Sequence, residues 1–378
     1  MSIRRTEPLF SLADQLFNKK TVAILSNSLA SVHEEFDRKK FEREVVRRFP
    51  ALALKQRISC LVDVLEEHLP TDFDSAMTIL TAALPEPLDP KKHDNDFGEF
   101  IWAVPGEYVA RHGCTQDRLQ KSLGFLRKAT MRFTSESTIR PFLNAYPKQT
   151  LEFVHRCAVH ENYHVRRLAS EGIRPCLPWA KKVIVPVQDV ISVLTRLHAD
   201  KTRYVTRSVA NTLNDLTRVE PDQVINTLKS WRNAGAQSTK ELDWMTRHAL
   251  RTLTKAGHAD ALELLGYPSQ PKFTVTGASA EESVKVGESL RWQGQLESKE
   301  NQKLKISLRV YFLRADGSHS IKVFAVKDLT IKKDERLAID KKLSFKPIGT
   351  RTLYPGLHHV ELDVNGVARG KRSFQLEV

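Results

Sequence analysis

Apolar residues recur at helical spacing through roughly the first 266 positions, and then switch to alternation in steps of two. In EEFDRKKFEREVVRRFP the apolar set is Phe36, Phe41, Val45 and Phe49. These recur at helical spacing. Pro50 ends it, having no N–H to donate and a ring that clashes with the preceding turn. Ile58, Leu61, Val62, Leu65 and Leu69 repeat the pattern as far as Pro70. Thr71-Asp72 offers an N-cap for a further helix to Leu84. The stretch from Pro85 to Asp96 is polar and proline-rich and reads as a loop. Trp102 and Tyr108 follow in Phe97–Val109 and are expected in the core.

Beyond residue 120 the helical pattern repeats. Four segments align at a spacing of 40: FLRKATMRF from Phe125, VRRLASEGI from Val165, VTRSVANTL from Val205 and MTRHALRTL from Met245. Each opens and closes on an apolar residue, and each has arginine at its third place: Arg127, Arg167, Arg207 and Arg247. Helical pairs of about 40 residues are the mark of HEAT-like solenoids. The arginines lie off the apolar stripe, so stacked repeats would line them along one face. Such a row suits a phosphate backbone; the plainer alternative is ion pairs with acidic groups of neighbouring repeats.

From Phe273 onward the pattern reads as strands, with Ile306, Leu308, Val310 and Phe312 alternating with polar positions. Candidate strands cover 273–276, 289–296, 303–314, 320–329, 337–345, 356–364 and 371–378. Asp316-Gly317 and Asn365-Gly366 are hairpin-turn signals. Seven short strands in this length fit an immunoglobulin-like sandwich, here without a cysteine pair to staple it. The expected fold is therefore mainly α. A HEAT-like α-solenoid domain over 1–268 is followed, across the proline-containing linker YPSQPK, by an immunoglobulin-like β-sandwich domain over 273–378.

The stretch from Asn162 to Ala180, NYHVRRLASEGIRPCLPWA, carries the candidate chemistry. Read as a helix, it places Val165, Leu168, Ala169, Gly172 and Ile173 on one face and His164, Arg167, Glu171 and Arg174 on the other, with Pro175 as its stop. A carboxylate thus lies between two guanidinium groups, with Trp179 just beyond. Ser135-Glu136-Ser-Thr-Ile139-Arg140-Pro141 echoes Ser170-Glu171-Gly-Ile173-Arg174-Pro175 with one extra residue, so Glu136 is a second candidate carboxylate. The plainer readings are a helix-start residue for Glu136, an i,i+4 ion pair with Arg167 for Glu171, worth about 0.3 kcal/mol on an exposed face, and core packing for Trp179.

Charge sharpens the picture. The 378 residues carry a net +14. Residues 271–378 hold 20 Lys and Arg against 13 Asp and Glu, so each part of the chain carries +7. A basic excess on both parts favours a polyanion, nucleic acid first. The four cysteines, Cys60, Cys114, Cys157 and Cys176, show no zinc-ligand spacing, so no metal is expected, and reduced thiols fit a cytoplasmic protein. MSIRRTEPLF lacks the apolar region of a secretory leader, and no apolar run is long enough to span a bilayer, so no membrane partner is expected.

RRLASEGIRPCLPWA, RFTSESTIRPFL and the LPTDFDSA stretch resemble the AlkC-type alkylpurine DNA glycosylases of the HEAT-like repeat superfamily. The resemblance extends over essentially the whole chain, including the C-terminal immunoglobulin-like domain of some members. It implies excision of cationic alkylated bases, 3-methyladenine and 3-methylcytosine, from double-stranded DNA, with the lesion left partly stacked. No cofactor is implied, and a monomer is the default for a solenoid acting on asymmetric damage.

The residues suit that chemistry. A base alkylated on a ring nitrogen is already a good leaving group, and the sugar gains oxocarbenium character as its bond breaks. A carboxylate beside the anomeric carbon stabilises that charge and orients water. Glu171 is the first candidate, with Glu136 in support and Trp179 holding the cationic nucleotide by cation–π contact. Arg167, Arg207 and Arg247 are candidate phosphate ligands, joined by Arg174 and His248. No buried lysine nucleophile is required, so a monofunctional enzyme without lyase activity is expected. The alternative is a non-catalytic HEAT-repeat DNA-binding scaffold in which Glu171 only bridges arginines.

Overall fold

A computed structural model describes residues 11–92, 96–347 and 352–377. The first ten residues (the MSIRRTEPLF segment read above for a leader), part of the 85–96 loop and Val378 of the last candidate strand fall outside this range. The helices are α1 Leu12–Leu16, α2 Lys19–Ala30, α3 Arg38–Arg48, α4 Leu54–Glu66, α5 Phe73–Ala82, α6 Ala103–His112, α7 Leu119–Ala129, α8 Arg140–Ala145, α9 Pro147–Cys157, α10 Tyr163–Glu171, α11 Val187–Leu197, α12 Arg203–Leu216, α13 Pro221–Ala234, α14 Thr239–Ala249, α15 Arg251–Ala256 and α16 Ala259–Leu264. Asp72 caps α5 as its sequence position suggested, its carboxylate accepting from the Ser75 N–H at 2.8 Å. Trp102 and Tyr108 are core residues.

The chain forms two compact units. The first runs to Leu216 and takes in Ala234–Thr239; the second holds Thr217–Asn233 and everything from Lys240 on. The change from helix to strand falls between Leu264 and Phe273, so the last helices belong to the same compact unit as the sandwich. In the first unit the repeated segments lie in α7, α10 and α12, and the fourth lies in α14 and α15 of the second. Consecutive helices pack as α9 with α10 and α11 with α12, the two-helix units of HEAT-like repeats, and α7 precedes them. Their apolar stripes form the cores: Leu123 and Leu126 of α7, Val165 and Leu168 of α10, and Val205, Val209 and Leu213 of α12 are all at most 1% exposed.

In the second unit the strands are β1 Phe273–Ala280, β2 Ser283–Lys285, β3 Ser289–Ser298, β4 Gln302–Leu313, β5 His319–Ile331, β6 Arg336–Ser344, β7 Gly356–Val364 and β8 Val367–Glu377. Sheets ordered β1-β3-β6 and β2-β8-β7-β4-β5 enclose a core centred on Trp292. All pairings are antiparallel except β2 with β8. The short β2 escapes sequence reading because three residues are too few to show alternation. The two hairpin signals hold. Asp316-Gly317 sits between β4 and β5. Asn365-Gly366 joins β7 to β8 with positive φ at both residues, 50° and 86°, the geometry of a two-residue turn matched to strand twist.

That turn also explains a glycine pair. Gly257 closes α15 in the left-handed region and abuts Gly366; a Cβ on Gly366 would lie 2.5 Å from the Gly257 carbonyl oxygen. Asn365 donates from Nδ2 to the Pro268 and Lys303 carbonyls, each at 3.2 Å, and accepts from the Lys305 N–H at 2.8 Å. Gly317, by contrast, has positive φ but open space around it. Gly317→Ala should therefore cost about 1 kcal/mol of backbone strain, and Gly366→Ala about 2–4 kcal/mol because a backbone clash is added. Thermal unfolding checks this: equal losses from the two substitutions would show that the α15–hairpin contact contributes nothing.

Candidate active site

Helix α10 starts where Asn162 accepts from the His164 N–H at 2.9 Å. It ends at Glu171, with the Gly172 N–H still bonded to the Leu168 carbonyl at 2.9 Å. The helix expected to reach Pro175 thus stops earlier, and Arg174 reaches back from the following turn. A second difference matters more. The face carrying His164, Glu171 and Arg174 is as buried as the apolar one, with these residues 4%, 4% and 8% exposed. Helix α12 packs against α10, and its own polar side chains meet that face.

The result is a chain of alternating charges. Arg167 Nη1 donates to Glu136 Oε2 at 2.5 Å, and Arg167 Nη2 lies 3.8 Å from Glu171 Oε1. Arg174 Nη1 donates to the same Glu171 oxygen at 2.5 Å. The other side of the Arg174 guanidinium is paired with Asp215, its Nε 3.0 Å from Oδ2. Ser208 donates to Glu171 Oε2 at 2.6 Å, and Ser170 donates to Ser208 at 2.7 Å. Glu136 receives a further bond from the Thr134 hydroxyl. Its Oε1 accepts no hydrogen bond among the described residues, and its side chain is 20% exposed. Of the three carboxylates in the chain, Glu136 alone keeps an open oxygen toward solvent.

Electrostatics follow the geometry. Burial alone would raise the Glu171 pKa, but the Arg167 and Arg174 charges and the Ser208 hydroxyl outweigh it, so the group is held below the ordinary carboxylate range. Burial lowers the pKa of Arg167, while Glu136 and Glu171 push it above its usual value. Both stay ionised. Buried ion pairs of this kind add little stability over apolar packing, yet removing one partner costs about 3–5 kcal/mol. A charge network retained at that risk points to chemistry rather than to stability.

Around Arg167 lies an aromatic wall. Its guanidinium sits 4.6 Å from the Tyr204 ring centre, and Phe97, Tyr163 and His164 pack their rings against Tyr204. This stacking and the Glu136 bond hold Arg167 inside the charge chain. Arg127 and Arg247 are exposed, and Arg207 is half-buried. Arg174 is likewise engaged inside the charge chain. Arg247 and His248 belong to the second unit, where His248 stacks on Trp244 at 5.0 Å.

Beyond Pro175 the loop is tied down from below. Arg140, fully buried, donates from Nη1 to the Gly172 and Arg174 carbonyls, each at 2.9 Å, and from Nε to the Lys181 carbonyl. Burial draws its pKa down to about 10, so it stays charged. Asn144 holds the Lys182 carbonyl at 3.0 Å. Gly172 lets the Glu136 segment approach, since a Cβ there would fall 2.8 Å from Ile139 Cγ2. The twinned motifs are therefore one device: the first arginine supports the backbone that follows the second glutamate. From this clamped loop Trp179 projects, 72% exposed and at φ 61°. Left-handed backbone costs a non-glycine residue about 1–2 kcal/mol, a strain that clusters at functional positions.

Sequence reading missed Tyr204, Ser208, Asp215 and Arg140. Tyr204, Ser208, Thr212 and Asp215 recur at helical spacing beside the apolar Val205, Val209, Leu213 and Leu216. That polar stripe was the available signal. Among the described residues no cluster of three or more His, Cys, Asp and Glu could hold a metal, and no helix is long and apolar enough to cross a membrane.

His164 supplies a pH test of this interior. Burial pulls its pKa down to about 4, with Asp96 opposing and Arg167 adding to the shift, and its Nε2 has no partner among the described residues. The unfolded chain binds this proton near pH 6.5, so folding stability should fall as pH drops from about 6.5 to about 4. His164→Phe should flatten that dependence. Melting temperatures at pH 7 and pH 5 check it; an equal drop in both proteins would assign the effect to another group.

Comparison with known proteins bears on the fold and the family. A family model described as the C-terminal Ig-like domain of the uncharacterised protein YhaZ matches residues 274–378. YhaZ of Bacillus subtilis strain 168 is 30% identical over 367 residues, 96% of this chain and 98% of that protein. The Pseudomonas fluorescens alkylpurine DNA glycosylase AlkC, solved bound to DNA containing an abasic site analog, superposes with a TM-score of 0.84 at 28% identity, over 98% of this chain and 100% of that one. A HEAT-like helical region, an immunoglobulin-like sandwich and similarity to both proteins over nearly their full lengths place this chain in the AlkC-type alkylpurine DNA glycosylase family, with a C-terminal immunoglobulin-like domain.

Proposed function

We propose that this protein is a DNA repair glycosylase that hydrolyses the N-glycosidic bond of cationic alkylated bases, 3-methyladenine and 3-methylcytosine, in double-stranded DNA. The observation that carries the reading is the charge chain from Glu136 to Asp215, closed toward the interior and open only at Glu136. Its full-length similarity to a glycosylase solved on DNA supports the same reading.

The chemistry asks for charge stabilisation more than for acid catalysis. As the bond breaks, its electron pair leaves with the base, whose positive charge is thereby neutralised. Positive charge develops on the sugar instead. Glu171, ionised and pinned at both oxygens, is the fixed counter-charge. Glu136, with Oε1 open, orients the water that adds to the anomeric carbon and passes its proton to solvent. The Trp179 ring holds the cationic nucleotide before the bond breaks, a contact worth about 0.5–2 kcal/mol. Arg207 of the first unit, and Arg247 and His248 of the second, are each assigned to phosphate contacts, while Arg167 and Arg174 act through the carboxylates. The enzyme is monofunctional and works as a monomer.

One observation favours the non-catalytic scaffold: both oxygens of Glu171 are already bonded. Release of free methylated base from methylated duplex DNA separates the two. Glu171→Gln and Glu136→Gln should each lower release by about 100-fold or more while binding duplex DNA, since each removes a charge made useful in the transition state. No release from the wild-type protein, with duplex binding retained, would leave the scaffold, and full activity in both variants would remove the two carboxylates from the chemistry. Trp179→Ala should lower release by a few-fold to about 30-fold, and Trp179→Phe by less. Arg207→Ala should weaken binding to every duplex and reduce the salt slope by about one; an unchanged slope would remove it from the phosphate path.

A further inference from the structure

Helix α12 brings a hydroxyl pair against the buried carboxylate that no part of the reaction above uses. Ser208, 1% exposed, donates its single proton to Glu171 Oε2 at 2.6 Å. With that proton committed, Ser208 can only accept from Ser170, fully buried, whose hydroxyl lies 2.7 Å away. The Ser170 hydroxyl has a second acceptor, the Arg167 carbonyl at 3.0 Å; turned to Ser208 it completes a relay that runs from Ser170 to Ser208 to Glu171. Thr212, one turn further along α12, donates its hydroxyl toward the backbone carbonyls of Ser170 at 3.1 Å and Ser208 at 2.9 Å. It thereby ties the two helices together at the relay.

We propose that Ser208, oriented by Ser170, is the positioning residue that fixes the Glu171 carboxylate for glycosidic-bond cleavage. The proposal rests on the glycosylase reading above. Arg174 anchors Oε1 from the loop, but an arginine there leaves the carboxylate plane free to turn about that contact. A second donor on Oε2, delivered from a different helix, removes this freedom. Hydrogen bonds to a charged acceptor are about twice as strong as neutral ones, and a hydroxyl that itself accepts a bond is a better donor. The relay therefore also favours the ionised form of the group.

Other ionisable groups surround Glu171. Arg167 and His164 come from α10, Arg174 from the turn, Tyr204 and Asp215 from α12, Glu136 from the turn before α8 and Arg140 from α8. Each of these side chains stays in place when a serine hydroxyl is removed, so the comparison of pH profiles reads the loss of that hydroxyl.

The test is the single-turnover rate of methylated-base release against pH, for the full-length protein and its Ser208→Ala, Ser170→Ala, Ser208→Thr and Glu171→Gln variants, with affinity for an abasic duplex as control. Ser208→Ala should lower the plateau rate by about 10- to 100-fold. It should also move the acidic limb to higher pH, because the carboxylate then protonates more readily, while affinity stays unchanged. Ser170→Ala should act in the same direction with smaller size, and Ser208→Thr, which keeps the hydroxyl, should recover the wild-type limb. An inactive Glu171→Gln beside a Ser208→Ala protein with wild-type rate and limb would overturn the relay and leave the glycosylase standing. A rate loss in Ser208→Ala with an unmoved limb and weakened binding would reduce Ser208 to a packing residue. A fully active Glu171→Gln would remove the carboxylate role that Ser208 is proposed to position, and no release from the wild-type protein would remove the glycosylase reading itself.

Discussion

Everything distinctive in the helical region depends on keeping one carboxylate ionised where water is nearly excluded. Glu171 is 4% exposed, and burial by itself would raise its pKa. Two guanidinium groups and a hydroxyl hold it charged instead. Each of those donors needs its own support. Arg167 is fixed by Glu136 and the Tyr204 ring, Arg174 by Asp215, and Ser208 by Ser170. The interior of the α10–α12 pair is therefore an ordered set of dipoles and charges rather than an apolar core. Fixed charges in a low-dielectric setting need no rearrangement when positive charge appears beside them.

The HEAT-like repeat supplies the frame for this arrangement. Successive helices present polar stripes to one another at a regular offset, so two adjacent pairs can meet over a shared charged interior. The twinned Ser-Glu…Ile-Arg-Pro motifs exploit that offset in different ways. In one, Arg140 turns to backbone carbonyls and clamps the loop that bears Trp179. In the other, Arg174 turns to Glu171 and Asp215. The same short pattern thus yields a structural arginine in one copy and a site arginine in the next.

Much of the fold was legible from spacing alone. The 40-residue register placed four segments that each begin inside a helix, and the change to alternation marked the sandwich with its Asn365-Gly366 turn. Within the site, Glu136, Glu171, Arg167 and Arg174 form one cluster, as their motif suggested. Their burial was not legible. A charged stripe on one helix reads as a solvated face unless the partner helix is known, and the partner here, α12, hides its contribution in single residues, Ser208 and Asp215. Arg167 shows the same limit: in the aligned segments it is indistinguishable from Arg207 and Arg247, and only the nearness of Glu136 sets it apart. Arg140 was quoted within a motif, yet its role rests on backbone carbonyls, which no sequence pattern displays.

The central claim is that a fixed negative charge at Glu171 stabilises a positively charged sugar. The most direct measurement compares the affinity of the wild-type protein and Glu171→Gln for two duplexes, one carrying a cationic pyrrolidine in place of the damaged sugar and one carrying its uncharged tetrahydrofuran analogue. Wild type should bind the cationic duplex at least about tenfold more tightly, as expected for a mimic of the transition-state charge, and Glu171→Gln should lose that preference. Equal affinity of the wild-type protein for the two duplexes would contradict it.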